Sequence, residues 1–196
     1  MSDLNRREAL QVMGGIPLVA AGLSPESVRR AALAARDQRA SGTDFTPKFF
    51  TPHELATASL LADLIIPRDE RSGSATDAGV PEFMDFILDE NVDMRTAFRG
   101  GLAWLDGESR HRFRKNFVDA SASEQIQIVE DIAWPKKAKP ELSHGVAFFN
   151  RFRDLTASGF FSSKMGVQDL QYQGNEFVME WKGCPPEALA KLGVKY

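Results

Sequence analysis

The residues Thr51-Pro52-His53-Glu54 constrain the fold most strongly, because they combine three signals that start an α-helix. Threonine is a favoured N-cap, proline suits the first helical position, and a glutamate three residues after the cap closes a capping box. The apolar residues that follow recur at helical spacing until Pro67 stops the helix near Ile66. They predict one buried helix face. Its members are Leu55, Ala58, Leu61, Ala62 and Ile65.

Helical patterns recur along the next part of the chain. Gly79-Val80-Pro81-Glu82 opens a second helix, with Phe83, Phe86 and Ile87 on its apolar face. A third helical pattern, from Val92 to Leu105, is interrupted by Gly100-Gly101. This glycine pair either lets another helix approach closely or marks a kink.

Two more helices follow in the second half. Ser121-Ala122-Ser123-Glu124 forms a second capping box, and Ile126, Val129 and Ile132 come next at helical spacing. The residues from Ser143 to Ala157 form a strongly apolar helical pattern that we expect to be buried on more than one side. With about six helical segments and no convincing strand, the sequence predicts a single compact all-α domain.

Composition excludes several classes of function. The 196 residues carry a net charge of −3, which gives no reason to expect nucleic acid or an anionic membrane surface as a partner. One cysteine, three scattered histidines and no nucleotide-binding glycine motif leave no metal, haem, iron–sulfur or nucleotide site to expect in this chain. His53, in the first turn of a helix, is interpreted as a solvated or capping group rather than a ligand.

The N-terminus has the order of a twin-arginine export signal. Arg6-Arg7 precedes a mildly apolar run, from Ala9 to Leu23, that is too short to span a bilayer. The alternative is an amphipathic helix that happens to begin with two arginines. We therefore divide the chain into a signal segment (1–23), a linker or loosely docked helix (24–48) and a helical domain (49–196).

The stretch from Ser158 to Pro186 is irregular and rich in glycine and aromatic residues, and neither helical nor strand spacing explains it. Large aromatic side chains of this kind either cover the domain's own core or form a surface that a partner holds. Cys184, between Gly183 and Pro185, has no histidine nearby and is a poor candidate for a catalytic thiol. In an exported protein, a lone cysteine is either buried and inert or bonded to another chain.

The chain resembles the gluconate 2-dehydrogenase subunit 3 family between about Phe49 and Val194. The resemblance rests on three stretches and a short motif that occur in the family's order. They are FFTPHELATASLLADLIIPRDE, AGVPEFMDFIL, GFFSSKMGVQDLQYQGN and W-x-G-C-P.

The resemblance implies a noncatalytic accessory subunit without a cofactor of its own. Its partner would be a large FAD-containing catalytic subunit that oxidises an alcohol group of a sugar, sugar acid or glycoside and passes electrons to a c-type cytochrome with haem c. The small subunit would carry the twin-arginine signal for the periplasmic complex, and any membrane association would come through that complex. In some relatives a disulfide joins the two subunits, and only Cys184 is able to form it here.

The predicted site residues are therefore two arginines for export and a set of contacts with the partner. The predicted contacts are Phe160, Phe161, Tyr172, Asn175, Phe177, Trp181 and Cys184. Two alternatives are a freestanding helical enzyme, such as a hydrolase or lyase, and an adaptor for an unrelated exported protein.

Overall fold

The computed structural model describes residues 23–171, Cys184 and residues 186–193, and every regular element among them is helical. The prediction of an all-α fold is confirmed. In chain order, the α-helices are α1 (Pro25–Ala40), α2 (Pro52–Ile65), α3 (Val80–Glu90), α4 (Val92–Phe113), α5 (Ala122–Ala133), α6 (Ser143–Ser162), α7 (Lys164–Asp169) and α8 (Pro186–Leu192). Two short 3-10 helices, Phe117–Asp119 and Pro140–Leu142, lie between them.

Helix α6 is the central element, and it contacts α1, α2, α3, α4, α5 and α7. Phe152 and Leu155 are fully buried on it, and Phe148 is nearly so. The rings of Phe148 and Phe152 lie 5.5 Å apart, and both also lie near Phe98 of α4, at 6.3 and 6.2 Å. Such tilted and edge-on aromatic pairs add to the free energy gained by burial. The expectation that this helix is buried on several sides is confirmed.

Helix α1 differs from the expected linker or loosely docked helix at 24–48. It contacts α3 and α6 and buries Val28, Ala31 and Ala35, so the packed core begins well before Phe49. Alanine gives little apolar stripe in a sequence, yet its small side chain lets two helices approach closely and still excludes water. A hydrophobic pattern alone therefore understates how firmly this segment packs.

Two polar contacts reinforce the position of α1. Arg30 forms an ion pair with Glu90 at 3.0 Å, and the guanidinium of Arg39 donates a hydrogen bond to the carbonyl of Thr76 at 2.9 Å. Gly79, at the N-cap of α3, has a φ of +83° and lies beneath the Arg39 side chain. A side chain at residue 79 would be strained in this left-handed conformation.

A buried carboxylate holds the chain in place just before α2. Asp85 is 2% exposed, and its two oxygens accept hydrogen bonds from the backbone amides of Lys48, Phe49 and Phe50 at 2.8 to 2.9 Å. Three charge-assisted bonds compensate the cost of removing this carboxylate from water. The capping box at Thr51 forms as predicted. The start of α2 is therefore held by Asp85 before the cap and by Glu54 after it.

Helix α4 runs through Gly100-Gly101 without a break and ends at Phe113, with Arg114 as its C-cap at a φ of +64°. Of the two alternatives for the glycine pair, close approach is the one observed, and it involves only Gly101. A Cβ atom at Gly101 would lie 1.9 Å from Cδ2 of Phe148, whereas one at Gly100 would meet nothing within 4 Å.

Helix α5 begins at the predicted capping box of Ser121, and this prediction is confirmed. Of the expected face, Ile132 is buried and Val129 is partly buried against the core, whereas Ile126 is 38% exposed. Gln125 and Ile128 complete the buried face. The spacing of apolar residues could not predict the burial of Gln125, because this side chain is polar. Its amide group donates to the carbonyls of Phe117 and Ala120, which satisfies it inside the core.

The irregular segment expected from Ser158 onward is helical in its first part. Helix α6 continues through Ser158-Gly159 to Ser162, beyond the predicted end at Ala157, and α7 follows after a single residue. Glycine is needed at residue 159 because a Cβ atom there would lie only 2.8 Å from the ring of Phe83. This glycine therefore marks a tight packing contact rather than a helix end.

Candidate functional site

The candidate site is a groove between α1 and the corner where α6 meets α7, which we call the α1–α7 groove. Its volume is about 820 Å³. It is lined by Pro25, Val28, Arg29, Ala32, Leu33, Arg36, Arg39, Asp77, Ala78, Ser162, Ser163, Lys164, Met165, Val167 and Gln168. A groove of this size, with an apolar floor and charged side chains at its rim, is suited to binding.

The corner between α6 and α7 shapes one wall of the groove. The hydroxyl of Ser163 accepts a hydrogen bond from the amide of Gly166 at 3.1 Å and donates one to the carbonyl of Phe160 at 2.6 Å. A Cβ atom at Gly166 would lie 2.1 Å from that same carbonyl oxygen. Only glycine fits here, and the sharp turn places Met165 and Val167 along the groove.

Helix α1 forms the opposite wall. The hydroxyl of Ser24 caps it by accepting a hydrogen bond from the amide of Ser27, and Pro25 occupies the first turn, where it needs no donor. Residues 28 and 32, one helical turn apart, direct their side chains toward the groove. The cap fixes where α1 begins, and the packing of Val28, Ala31 and Ala35 against the core sets which face of the helix borders the groove.

The rim of the groove is mainly cationic. Arg29 is paired with Glu26 through two hydrogen bonds of 2.8 and 2.9 Å, and this pairing with Arg29 holds the pKa of Glu26 below its ordinary value. Arg36 lies 3.4 Å from the neighbouring Asp37. Lys164, on the opposite wall, has no ion-pair partner within the described part of the chain.

Asp77 is the one acidic residue among those that line the groove. The amide of Ser74 donates a hydrogen bond of 2.7 Å to Oδ2 of Asp77, and this bond, with the nearby guanidinium of Arg68, keeps the pKa of Asp77 below its ordinary value. Its charge is thus already compensated by its own loop, which leaves the cationic side chains to set the character of the rim.

His53 has a specific partner that the sequence did not indicate. Its Nε2 atom lies 2.5 Å from Oδ2 of Asp106 on α4, and the other oxygen of this nearly buried carboxylate accepts from the amide of Phe117 at 2.9 Å. The pair links α2, α4 and the 3-10 helix. Within the described residues, no group of three histidine, cysteine or acidic side chains is arranged to hold a metal ion.

The structure describes only three of the residues predicted to contact a partner. Phe160 is fully buried in the domain core, Phe161 is half-buried against that core, and Cys184 is half-buried. Phe160 therefore packs inside the chain and offers no surface to a partner. Several predicted residues lie outside the described residues: Arg6, Arg7, Tyr172, Asn175, Phe177 and Trp181.

Comparison with known families identifies the chain. A family model for gluconate 2-dehydrogenase subunit 3 matches residues 52–180, about two thirds of the sequence. The chain belongs to the gluconate 2-dehydrogenase subunit 3 family. The match begins at the first residue of α2 and includes every described helix from there through α7. Searches of curated proteins and of solved structures gave no match.

Membership in the gluconate 2-dehydrogenase subunit 3 family is consistent with an accessory subunit of a dehydrogenase complex. The family match over residues 52–180 confirms the resemblance that the sequence motifs indicated. No helix among residues 23–171 and 186–193 combines the length and the apolar character needed to cross a bilayer. The wall of the α1–α7 groove formed by α6 and α7 lies inside the matched range. The wall formed by α1, which ends at Ala40, lies before it.

Proposed function

We propose that this chain is the noncatalytic small subunit of a periplasmic dehydrogenase complex. It binds, stabilises and helps to export a large FAD-containing subunit that oxidises an alcohol group of a sugar, sugar acid or glycoside. Electrons then pass to a c-type cytochrome. The observation that carries the proposal is the match of residues 52–180 to the gluconate 2-dehydrogenase subunit 3 family.

The N-terminal sequence supports the export role. Arg6-Arg7 is followed, after Glu8, by an apolar run, as in signals for the twin-arginine route. That route moves folded proteins, and a flavoprotein must fold around FAD before it leaves the cytoplasm. A signal on one subunit can therefore export the other only if both are already tightly bound. Such a permanent complex would bury at least about 1,600 Å² in total.

The central experiment separates this chain from its partner. We would express the chain alone, and together with the FAD-containing large subunit proposed as its partner, and measure copurification and dye-linked sugar oxidation. The proposal expects a stable complex, oxidation only when the large subunit is present, and a large subunit that aggregates more readily without this chain. Oxidation by this chain alone, or two chains that do not copurify, would refute it.

Cys184 provides a separate arm of the same experiment. We propose that its thiol forms a disulfide with the large subunit, which would add a covalent link in the oxidising periplasm. Nonreducing electrophoresis of the exported complex should show one band for both chains, and the Cys184→Ser variant should show two. Two bands for the native complex would remove the covalent link and leave the accessory role intact.

A further inference from the structure

We propose that the α1–α7 groove receives an apolar segment of the large subunit that carries carboxylates at its edges. This inference rests on the proposed function, because it states where the partner binds and what chemistry it presents. Three features support it: the apolar floor, the charge of the rim and the unsuitability of a second copy as the occupant.

The floor of the groove is apolar and partly open. Val28, Ala32 and Met165 contribute side chains that also contact the domain core, and Leu33, which is 36% exposed, extends the same surface toward solvent. Helix α1 and the α6–α7 corner thus offer two walls between which an inserted side chain would lose its contact with water. Burial of apolar surface in such a groove is the main source of affinity for an amphipathic peptide segment.

The rim selects the charge of the occupant. Of the ionisable side chains that line the groove, one is acidic, Asp77, and four are basic: Arg29, Arg36, Arg39 and Lys164. Arg29 and Arg36 stand on the wall formed by α1, and Lys164 faces them from the other. The existing pairs of these two arginines are exposed, so they contribute little stability and can rearrange when a partner's carboxylate arrives.

The same charges argue against a second copy of this chain as the occupant. In a two-fold dimer formed through the groove, the same surface would face itself, which would bring two cationic rims together. Like charges opposed across an interface are unfavourable. An acidic, apolar segment of a different chain meets both requirements, and the large subunit is the partner that the proposed function supplies.

The test uses two aliphatic residues of matched exposure in the full-length complex. Leu33→Asp places a carboxylate at the groove, and Ile126→Asp makes the same change at a residue on α5 that is 38% exposed and does not line the groove. We expect Leu33→Asp to weaken binding of the large subunit by about 10- to 100-fold, as for loss of a central interface contact. Ile126→Asp should bind within about twofold of the native chain, as expected for a substitution outside the interface.

Charge reversal tests the rim independently. Arg36→Glu combined with Lys164→Glu should slow association and remove much of its dependence on salt, because steering by complementary charges is lost. Lys136→Glu combined with Lys139→Glu, in the exposed turn after α5, is the control with the same change in net charge. This control should associate at a rate much closer to that of the native chain.

The outcomes separate the two proposals. If the native chains bind and the groove variants bind as tightly as their controls, the groove is not the docking site, while the accessory role stands. If the native chains do not bind at all, both proposals fail. Self-association of this chain through the groove, detected by sedimentation and abolished by Leu33→Asp, would also overturn the assignment of the large subunit as the occupant.

Discussion

Gly101 of α4 lies directly beneath the ring of Phe148 on α6, so close that a Cβ atom at residue 101 would be 1.9 Å from Cδ2 of that ring. The relationship is reciprocal along the same pair of helices. Gly145 of α6 lies beneath Trp104 of α4, where a Cβ atom would be 2.2 Å from the indole. Each helix thus presents a glycine to an aromatic side chain of the other, which lets α4 and α6 pack closely.

The two neighbouring glycines of α4 should respond in opposite directions to the same substitution. Gly101→Ala forces the buried ring of Phe148 to move, and we expect the free energy of unfolding to fall by about 1 to 3 kcal/mol. Gly100→Ala meets nothing within 4 Å, so the higher helix propensity of alanine should raise it by about 0.5 to 1 kcal/mol. Urea unfolding of both variants measures the difference, and equal effects would contradict the close contact.

Asp85 should be far more important for stability than its neighbour Asp89. In Asp85→Asn, the side-chain NH2 replaces one of the two oxygens and would face a backbone N–H from which it cannot accept a hydrogen bond. The negative charge that strengthens the remaining bonds is also lost. We expect the free energy of unfolding to fall by about 2 to 4 kcal/mol.

The matched control for that variant is Asp89→Asn on the same helix. Asp89 forms a half-exposed ion pair with Arg95, and we expect its loss to change stability by less than about 1 kcal/mol. Urea unfolding compares the variants, and amide hydrogen exchange at residues 48–50 should accelerate only in Asp85→Asn. If exchange there stays as slow as in the native protein, the carboxylate does not hold this segment.

Asp77 should contribute stability that depends on pH in the acidic range. Because the amide of Ser74 and nearby guanidinium groups hold its folded pKa below the ordinary 3.8, its contribution is fully present above the unfolded pKa. It is lost as the pH falls through the lower folded pKa. The stability difference between native protein and Asp77→Asn should therefore be fully present at neutral pH and shrink as the pH falls below the ordinary pKa of the carboxyl group, 3.8. A difference that is constant across this range would contradict the stabilised carboxylate.

The paired arginines should be required for export and not for assembly. Arg6→Lys combined with Arg7→Lys keeps the charge but removes the side chain that gives the signal its character. We expect both subunits to remain in the cytoplasm as an intact complex, which cell fractionation and copurification would show together. Arg151→Lys combined with Arg153→Lys is a control with the same chemistry on α6, away from the groove, and its complex should reach the periplasm. Normal export of the first variant would refute the carrier role.

Local signals in the sequence are sufficient to predict the helix starts. The capping boxes at Thr51 and Ser121 lie within four residues of chain, so their hydrogen bonds form wherever the helix itself forms. The family motifs are likewise sufficient to indicate membership in the gluconate 2-dehydrogenase subunit 3 family. The continuation of α6 past Gly159 has no local signal, because the packing of Phe83 against that glycine involves a residue 76 positions earlier.

The sequence by itself determined the all-α class, the starts of the capped helices and the family. Only the tertiary structure decided that α1 packs against α3 and α6, that Asp85 binds residues 48–50, and that α1 and the α6–α7 corner enclose a groove. The physical reason is the range of the interactions. A cap or a helical stripe is made by neighbours in the chain, whereas these contacts join residues far apart in the sequence, whose pairing depends on the packing of the whole domain.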